Sequence, residues 1–182
     1  YAYNYRKLIE LLKIKTLRIT DLDYDKEKIE KNQIEKSKIT NATIKNFYKE
    51  TNSKEPNVKE LYDWINNKKN IFVDGLIYVA YQTCDDSYAR TLEEAMLGRY
   101  YEINVSQKIK RSVWNTMRKN SKLKFSIPHN KTNEKDSEFS LRDILNASSG
   151  TKTDFMYSVI LNNLLEKMEP NYISEGLKWL TK

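Results

Sequence analysis

Residues 16–28 read TLRITDLDYDKEK, and a short β-branched run leads there directly into Asp21, Asp23 and Asp25. The run TLRIT is typical of a β-strand. Because side chains alternate along a strand, we expect Asp21 and Asp23 on one side, joined by Asp25 if the extended geometry continues. The sequence therefore predicts a strand that ends in a group of carboxylates.

A second strand is predicted in residues 75–83, GLIYVAYQT, which Gly75 opens. Amphipathic or capped helices are predicted before and between the two strands, at residues 3–14, at 40–50 after a cap at Thr40 or Asn41, and at 57–67. This order predicts an α/β domain with a parallel sheet. Beyond residue 91 the pattern becomes helical, with segments at 91–104, 106–120, 140–148, 151–167 and 172–180 and a polar loop at 120–138.

Composition indicates a folded chain of 182 residues with 39% hydrophobic residues and a net charge of +7. The basic excess favours a polyanionic partner, although the dominance of lysine over arginine is also what an AT-rich coding sequence would produce. The single cysteine, Cys84, excludes an internal disulfide and predicts a reducing, cytoplasmic location. No apolar run approaches the length of a membrane span, and no signal peptide is recognisable.

The acidic strand end has two interpretations. The carboxyl ends of parallel strands are where α/β proteins build their sites, and adjacent carboxylates repel unless a cation neutralises them. All-oxygen ligands suit Mg²⁺ or Mn²⁺. The alternative is an exposed turn in which Asp21, Asp23 and Asp25 cap the following segment.

Further polar candidates lie in two later segments. In SSGTKTDF, Thr151 is a predicted N-cap, and Lys152 in the first helical turn opposes the helix dipole unless an anion such as phosphate meets it. In YARTLEEA, a capping box from Thr91 explains Glu94, whereas Glu93 has no structural role and is the better metal-ligand candidate. Arg90 could bind a phosphate or pair with a carboxylate.

Other polar residues carry less weight. His129 is interpreted as an incidental loop histidine, and Cys84 lacks the electropositive setting of a reactive thiolate. A basic helix that contains Lys110 and Arg111 is predicted either to bind nucleic acid or to form a solvated face, and the sequence does not decide between them.

Five segments, LRITDLD, ITNATIKNF, VAYQT…YARTLEEA, TKTDF and PNYISEGLKWL, occur in this order. Together they resemble the C-terminal part of ATP-dependent endonucleases of the overcoming-lysogenization-defect family, which includes the Gabija anti-phage nuclease and retron-associated relatives. The resemblance implies the C-terminal part of a Toprim domain, with a Rossmann-like parallel sheet, at residues 1–104. It implies a helical region that completes the nuclease site at residues 105–182.

The resemblance also implies a site. Asp21 and Asp23 match the D-x-D pair that binds Mg²⁺ or Mn²⁺, and Lys152 matches the catalytic lysine. Glu93 matches a further acidic position and, with Asp25, would serve a second ion in a two-metal hydrolysis of DNA. Arg90, Lys152, Lys110 and Arg111 are the expected DNA contacts.

The Toprim glutamate and the ATPase motifs of such proteins are expected before residue 1, so ATP would act only through an upstream ATPase domain. Expected partners are DNA, that ATPase domain, further copies of the protein, and a defence-system partner or retron, without a membrane. A non-catalytic Toprim remnant that binds nucleic acid or docks a partner is the main alternative. A primase- or topoisomerase-like Toprim protein is a second alternative, against which the helical tail and the absence of zinc-ribbon cysteines count.

Overall fold

The two strands expected from the sequence form a parallel pair. In a computed structural model, which describes residues 2–128 and 137–182, β1 (Thr16–Ile19) lies parallel to β3 (Ile77–Ala80). A two-residue strand, β2 (Ile71–Phe72), pairs antiparallel with β3, so the sheet order is β1-β3-β2. His129 lies outside the described residues.

Helices make up most of the remaining regular structure. They are α1 (Arg6–Leu12), α2 (Lys31–Glu35), α3 (Ala42–Asn52), α4 (Val58–Asn66), α5 (Leu92–Tyr101), α6 (Arg111–Ser121), α7 (Leu141–Ala147), α8 (Lys152–Leu161), α9 (Leu165–Met168) and α10 (Asn171–Leu180). A second, antiparallel pair joins β4 (Ile109–Lys110) to β5 (Glu138–Phe139). The chain is therefore a mixed α/β protein with small sheets, and the prediction of an α/β fold with a parallel sheet is confirmed at that level.

Local capping explains where α3 and α4, two of the helices between the parallel strands, begin. The side-chain oxygen of Asn41 accepts hydrogen bonds from the backbone N–H groups of Thr43 and Ile44, so the predicted cap of α3 is Asn41. Helix α4 begins with a reciprocal capping box between Asn57 and Glu60. These caps satisfy N–H groups that the first helical turn leaves without partners.

A single large group of buried apolar side chains holds these elements together, and it draws on residues before and after position 104, including Leu22, Ile77, Trp114 and Phe155. The proposed division at that position stays a prediction.

Helix α10 covers the sheet so closely that a Cβ atom on Gly176 would lie 2.7 Å from a methyl group of Leu17. None of the helices in residues 2–128 and 137–182 combines the length and the apolar character needed to cross a membrane.

The structure corrects three local predictions. Strand β1 ends at Ile19, and Asp23 has a left-handed backbone with φ of 50°, so the expected strand alternation does not extend to Asp25. The basic helix begins at Arg111, because Lys110 belongs to β4. The predicted helix 151–167 is divided into α8 and α9.

Candidate functional site

Asp21 lies in the loop that follows β1, at the carboxyl end of the parallel pair. Its Oδ1 accepts hydrogen bonds from Gln82 Nε2 at 2.9 Å and from the Leu92 backbone N–H at 3.0 Å. Burial raises the pKa of Asp21, the hydrogen bond from Gln82 opposes that rise, and the charges of Asp23 and Glu93 add to it. The three carboxylates are therefore close enough to repel one another.

Gln82 lies two residues after the end of β3 and hydrogen-bonds to this loop, and sequence reasoning did not select it. Its side chain is fully buried, its Oε1 accepts the Leu22 N–H at 2.6 Å, and its Nε2 also donates to the Tyr172 hydroxyl at 3.1 Å. The available signal was its position, since a polar side chain shortly after a buried strand lies beside the end of the parallel neighbour.

Asp23 is paired with Arg90. The Arg90 Nη2 lies 3.2 Å from Asp23 Oδ1, and its Nε donates to the Tyr24 carbonyl oxygen at 2.9 Å. The backbone N–H of Asp23 donates in turn to the Arg90 carbonyl oxygen at 3.2 Å. Arg90 was predicted either to bind a phosphate or to pair with a carboxylate, and the structure shows it paired with a carboxylate.

Glu93 and Lys152 form an ion pair, with Glu93 Oε1 3.0 Å from Lys152 Nζ. Lys152 is the first residue of α8, as predicted, and the expected anion for its ammonium is present in the form of Glu93. Thr151 precedes the helix but makes no side-chain cap, since its hydroxyl donates to the Ser148 carbonyl oxygen instead. The Lys152 side chain remains 50% exposed, whereas that of Glu93 is only 14% exposed.

Asp25 has a different environment from the other two aspartates. It is exposed, and its Oδ1 accepts the backbone N–H of Glu27 at 3.0 Å, which makes it the cap of a local turn. For this residue the geometry matches the alternative interpretation, in which an acid caps the segment that follows.

Glu94 has a larger structural role than the predicted capping box. Thr91 Oγ1 does accept the Glu94 N–H, at 3.4 Å, but the Glu94 carboxylate does not return to Thr91. It accepts the Arg90 N–H at 2.8 Å and forms a buried ion pair with Arg142. Burial raises the pKa of Glu94, and the adjacent Arg142 guanidinium opposes that rise. Arg142 also donates to the Tyr24 hydroxyl at 2.7 Å. It therefore connects α5 and α7 to the loop that follows β1, residues 20–28, which we call the acidic loop.

The other predicted DNA contacts lie at the N-terminal end of α6. Lys110 is exposed in β4, and the Arg111 guanidinium donates to the Pro128 carbonyl oxygen at 2.9 Å. DNA binding by this pair stays a prediction, as does its alternative, a solvated face.

The site has the donor type that a divalent cation needs, but not a complete ligand set. Asp21 Oδ2 accepts no hydrogen bond within the described ranges, which leaves it available beside the charge of Asp23. However, no group of three or more His, Cys, Asp or Glu side chains in residues 2–128 and 137–182 is arranged to hold a metal ion. Asp21 and Asp23 fit Mg²⁺ or Mn²⁺ in kind, as a partial set of oxygen ligands.

Five charged side chains from three parts of the sequence thus lie near one edge of the sheet. They are the carboxylates of Asp21, Asp23 and Glu93 and the cations of Arg90 and Lys152. Such a group can bind cations through its carboxylates, and it can bind an anion through Lys152 if the pair with Glu93 opens. In comparisons with known proteins, no family model, no curated protein and no solved structure matches this chain.

Proposed function

We propose that this chain carries the nuclease site of a metal-dependent DNA endonuclease that hydrolyses phosphodiester bonds. The observation that carries the proposal is the contact between Glu93 and Lys152 beside Asp21, at the carboxyl end of two parallel strands. That contact joins the segments TLEEA and TKTDF, and the hydrogen bond from the Leu92 N–H to Asp21 joins TLEEA to TDLD. The resemblance to the overcoming-lysogenization-defect nucleases assigns all three segments to one Toprim site.

Each residue has a distinct proposed role. Asp21 and Asp23 would hold Mg²⁺ or Mn²⁺, and a bound divalent cation supplies Lewis acidity toward phosphate oxygen. Hydrogen bonds from Gln82 and the Leu92 N–H orient Asp21 so that its second oxygen stays available. Lys152 would leave Glu93 and neutralise the charge that develops on the phosphate.

The wider context is proposed from the resemblance. The chain would be the Toprim and helical nuclease part of a cytoplasmic anti-phage protein, with an ATPase domain upstream through which ATP acts. Glu93 would be released to a second ion, to which Asp25 is a weaker candidate ligand. Further copies of the protein and a defence-system partner or retron are the proposed assembly partners.

A second function is favoured by the pairing of the site's charges. Asp23 and Glu93 are already held by Arg90 and Lys152, and no three-carboxylate group suited to a metal occurs in the part of the chain that the structure describes. A non-catalytic module that binds nucleic acid or docks a partner would need no exchange of these pairs.

Nicking of supercoiled plasmid in Mg²⁺ or Mn²⁺ by the full-length protein tests the proposal. Asp23→Ala and Lys152→Ala should each lower the nicking rate by about 100-fold or more, the loss typical of removing one group that stabilises transition-state charge. Lys59→Ala is the matched control for Lys152→Ala, because Lys59 also lies in the first turn of a helix but is exposed and makes no ion pair with a described residue.

The outcomes separate the two functions. Nicking at the wild-type rate in Asp23→Ala or Lys152→Ala would contradict the assigned roles. Metal-independent DNA binding by a wild-type protein that does not nick any DNA would favour the non-catalytic module.

A further inference from the structure

A groove beside Lys152 has an unusual concentration of positive charge. It has a volume of about 1010 Å³ and runs between the C-terminal half of α6, the segment that follows it and the start of α8. The charged side chains that line it are Arg118, Lys119, Lys122, Lys124 and Asp154. Four cations therefore face one carboxylate.

The three lysines of this groove form no ion pair with an acid in residues 2–128 and 137–182. Lys119, Lys122 and Lys124 are all exposed. With Arg118 they outnumber the one acid of the lining, Asp154. The groove therefore carries an excess of positive charge, which attracts polyanions.

Packing fixes the backbone that carries Lys122 and Lys124. Along residues 122–126 exposed lysines alternate with the buried side chains Leu123 and Phe125, so the segment is fixed to the core on one side. Its backbone is also tied to the helices, because the Lys124 N–H donates to Ser158 Oγ at 2.9 Å. The Arg118 guanidinium also ties this segment to α6, because it donates to the Phe125 carbonyl oxygen at 3.0 Å.

The groove adjoins the candidate site at the start of α8. Thr151 lines the groove, and the next residue, Lys152, pairs with Glu93. A phosphate backbone that lies along Lys119, Lys122 and Lys124 and passes Thr151 would therefore come close to Lys152. A phosphate backbone is a ligand that several unpaired lysines suit.

We propose that this groove binds the phosphate backbone of DNA and guides it to Lys152, an inference that rests on the proposed nuclease function. The sequence-based expectation assigned DNA binding to Arg90, Lys152, Lys110 and Arg111, and the groove adds Lys119, Lys122 and Lys124 to that set. Arg111 and Lys119 lie at opposite ends of α6, about 12 Å apart along the helix axis at 1.5 Å per residue.

The test measures the affinity of the full-length protein for a fluorescein-labelled DNA duplex in EDTA, where metal-dependent cleavage cannot occur. The variant is the triple replacement Lys119→Gln, Lys122→Gln and Lys124→Gln. If each lysine contacts one phosphate, the slope of log K against log salt concentration becomes less steep by about 2.7, and the ratio of wild-type to variant affinity falls about 40-fold between 50 and 200 mM salt.

The matched control removes the same charge from another exposed surface, by Lys59→Gln, Lys68→Gln and Lys69→Gln, and should keep the wild-type slope. Equal salt slopes for the two triple variants would contradict DNA binding by the groove and would leave the nuclease proposal intact. A selective loss in the groove variant, with no nicking by the wild type, would support the groove and reject the nuclease. Competition by polyglutamate as effective as DNA at equal charge would instead indicate an acidic protein partner and overturn the DNA assignment.

Discussion

Replacing Arg142 by methionine should strongly destabilise the protein and loosen the acidic loop. Arg142 is 1% exposed, and its ion-pair partner Glu94 is 2% exposed. The same guanidinium donates to the carbonyl oxygens of Lys26 and Lys28 at 2.9 and 3.2 Å and to the Tyr24 hydroxyl. Arg142 therefore positions the loop without touching the site carboxylates.

The expected magnitude follows from what the substitution leaves behind. Arg142→Met removes the partner of a buried carboxylate, and breaking a buried ion pair in this way costs about 3–5 kcal/mol in the free energy of unfolding. Replacing both partners, in Glu94→Leu with Arg142→Met, removes the uncompensated charge as well. The double variant should therefore be more stable than the sum of the two single losses predicts.

Urea unfolding monitored by tryptophan fluorescence measures these energies, provided that the denaturant slope stays constant. Arg99→Met is the matched control, because Arg99 is exposed on α5 and should change stability by about 0.5 kcal/mol or less. The reasoning fails if Arg142→Met costs no more than Arg99→Met, or if the losses from the two partners simply add.

Two further changes test other parts of the fold. Asn41→Ala removes the cap of α3 and two hydrogen bonds toward the acidic loop, one of them to the Asp21 carbonyl oxygen. It should lower the free energy of unfolding in urea by about 1–2 kcal/mol. Asn46→Ala, on the exposed face of α3, should leave that free energy nearly unchanged. A loss no larger than that of Asn46→Ala would contradict the capping argument. Burial raises the pKa of Asp86 above its ordinary value of 3.8, so the folded state holds its proton more tightly than the unfolded state, and this stabilisation is lost as the pH rises through the raised pKa. The urea midpoint of the wild type should therefore rise relative to that of Asp86→Asn as the pH falls from about 7 to about 4. A difference between the two midpoints that does not change with pH would contradict a raised pKa for Asp86.

Local sequence signals predicted the elements that regular patterns define. The β-branched run before Thr20 and the run after Gly75 form the parallel pair, and Asn41, one of the two caps expected together with Thr40, caps α3. The strands β2, β4 and β5 have only two residues each, too few for any periodicity to be visible. Their positions depend on tertiary pairing.

Sequence reasoning selected Asp21, Glu93 and Lys152 but not Gln82, and it did not predict the contacts among them. The resemblance brought Asp21, Glu93 and Lys152 together, and the ion pair of the last two is consistent with that grouping. The left-handed turn at Asp23 could not be read from a strand pattern, and it separates Asp25 from the other aspartates. The pairing of Glu94 with Arg142, 48 positions apart, has no local signal either.

The bond from the Leu22 N–H to the Gln82 side chain has a consequence for local opening of the chain. Both groups are fully buried, and Leu22 lies between the two aspartates of the D-x-D pair. An amide in that position can exchange its hydrogen with solvent only when the surrounding core opens. We therefore expect the Leu22 amide hydrogen to exchange much more slowly than the amide hydrogens of the exposed residues Asp25 and Lys26, because its exchange requires the core to open.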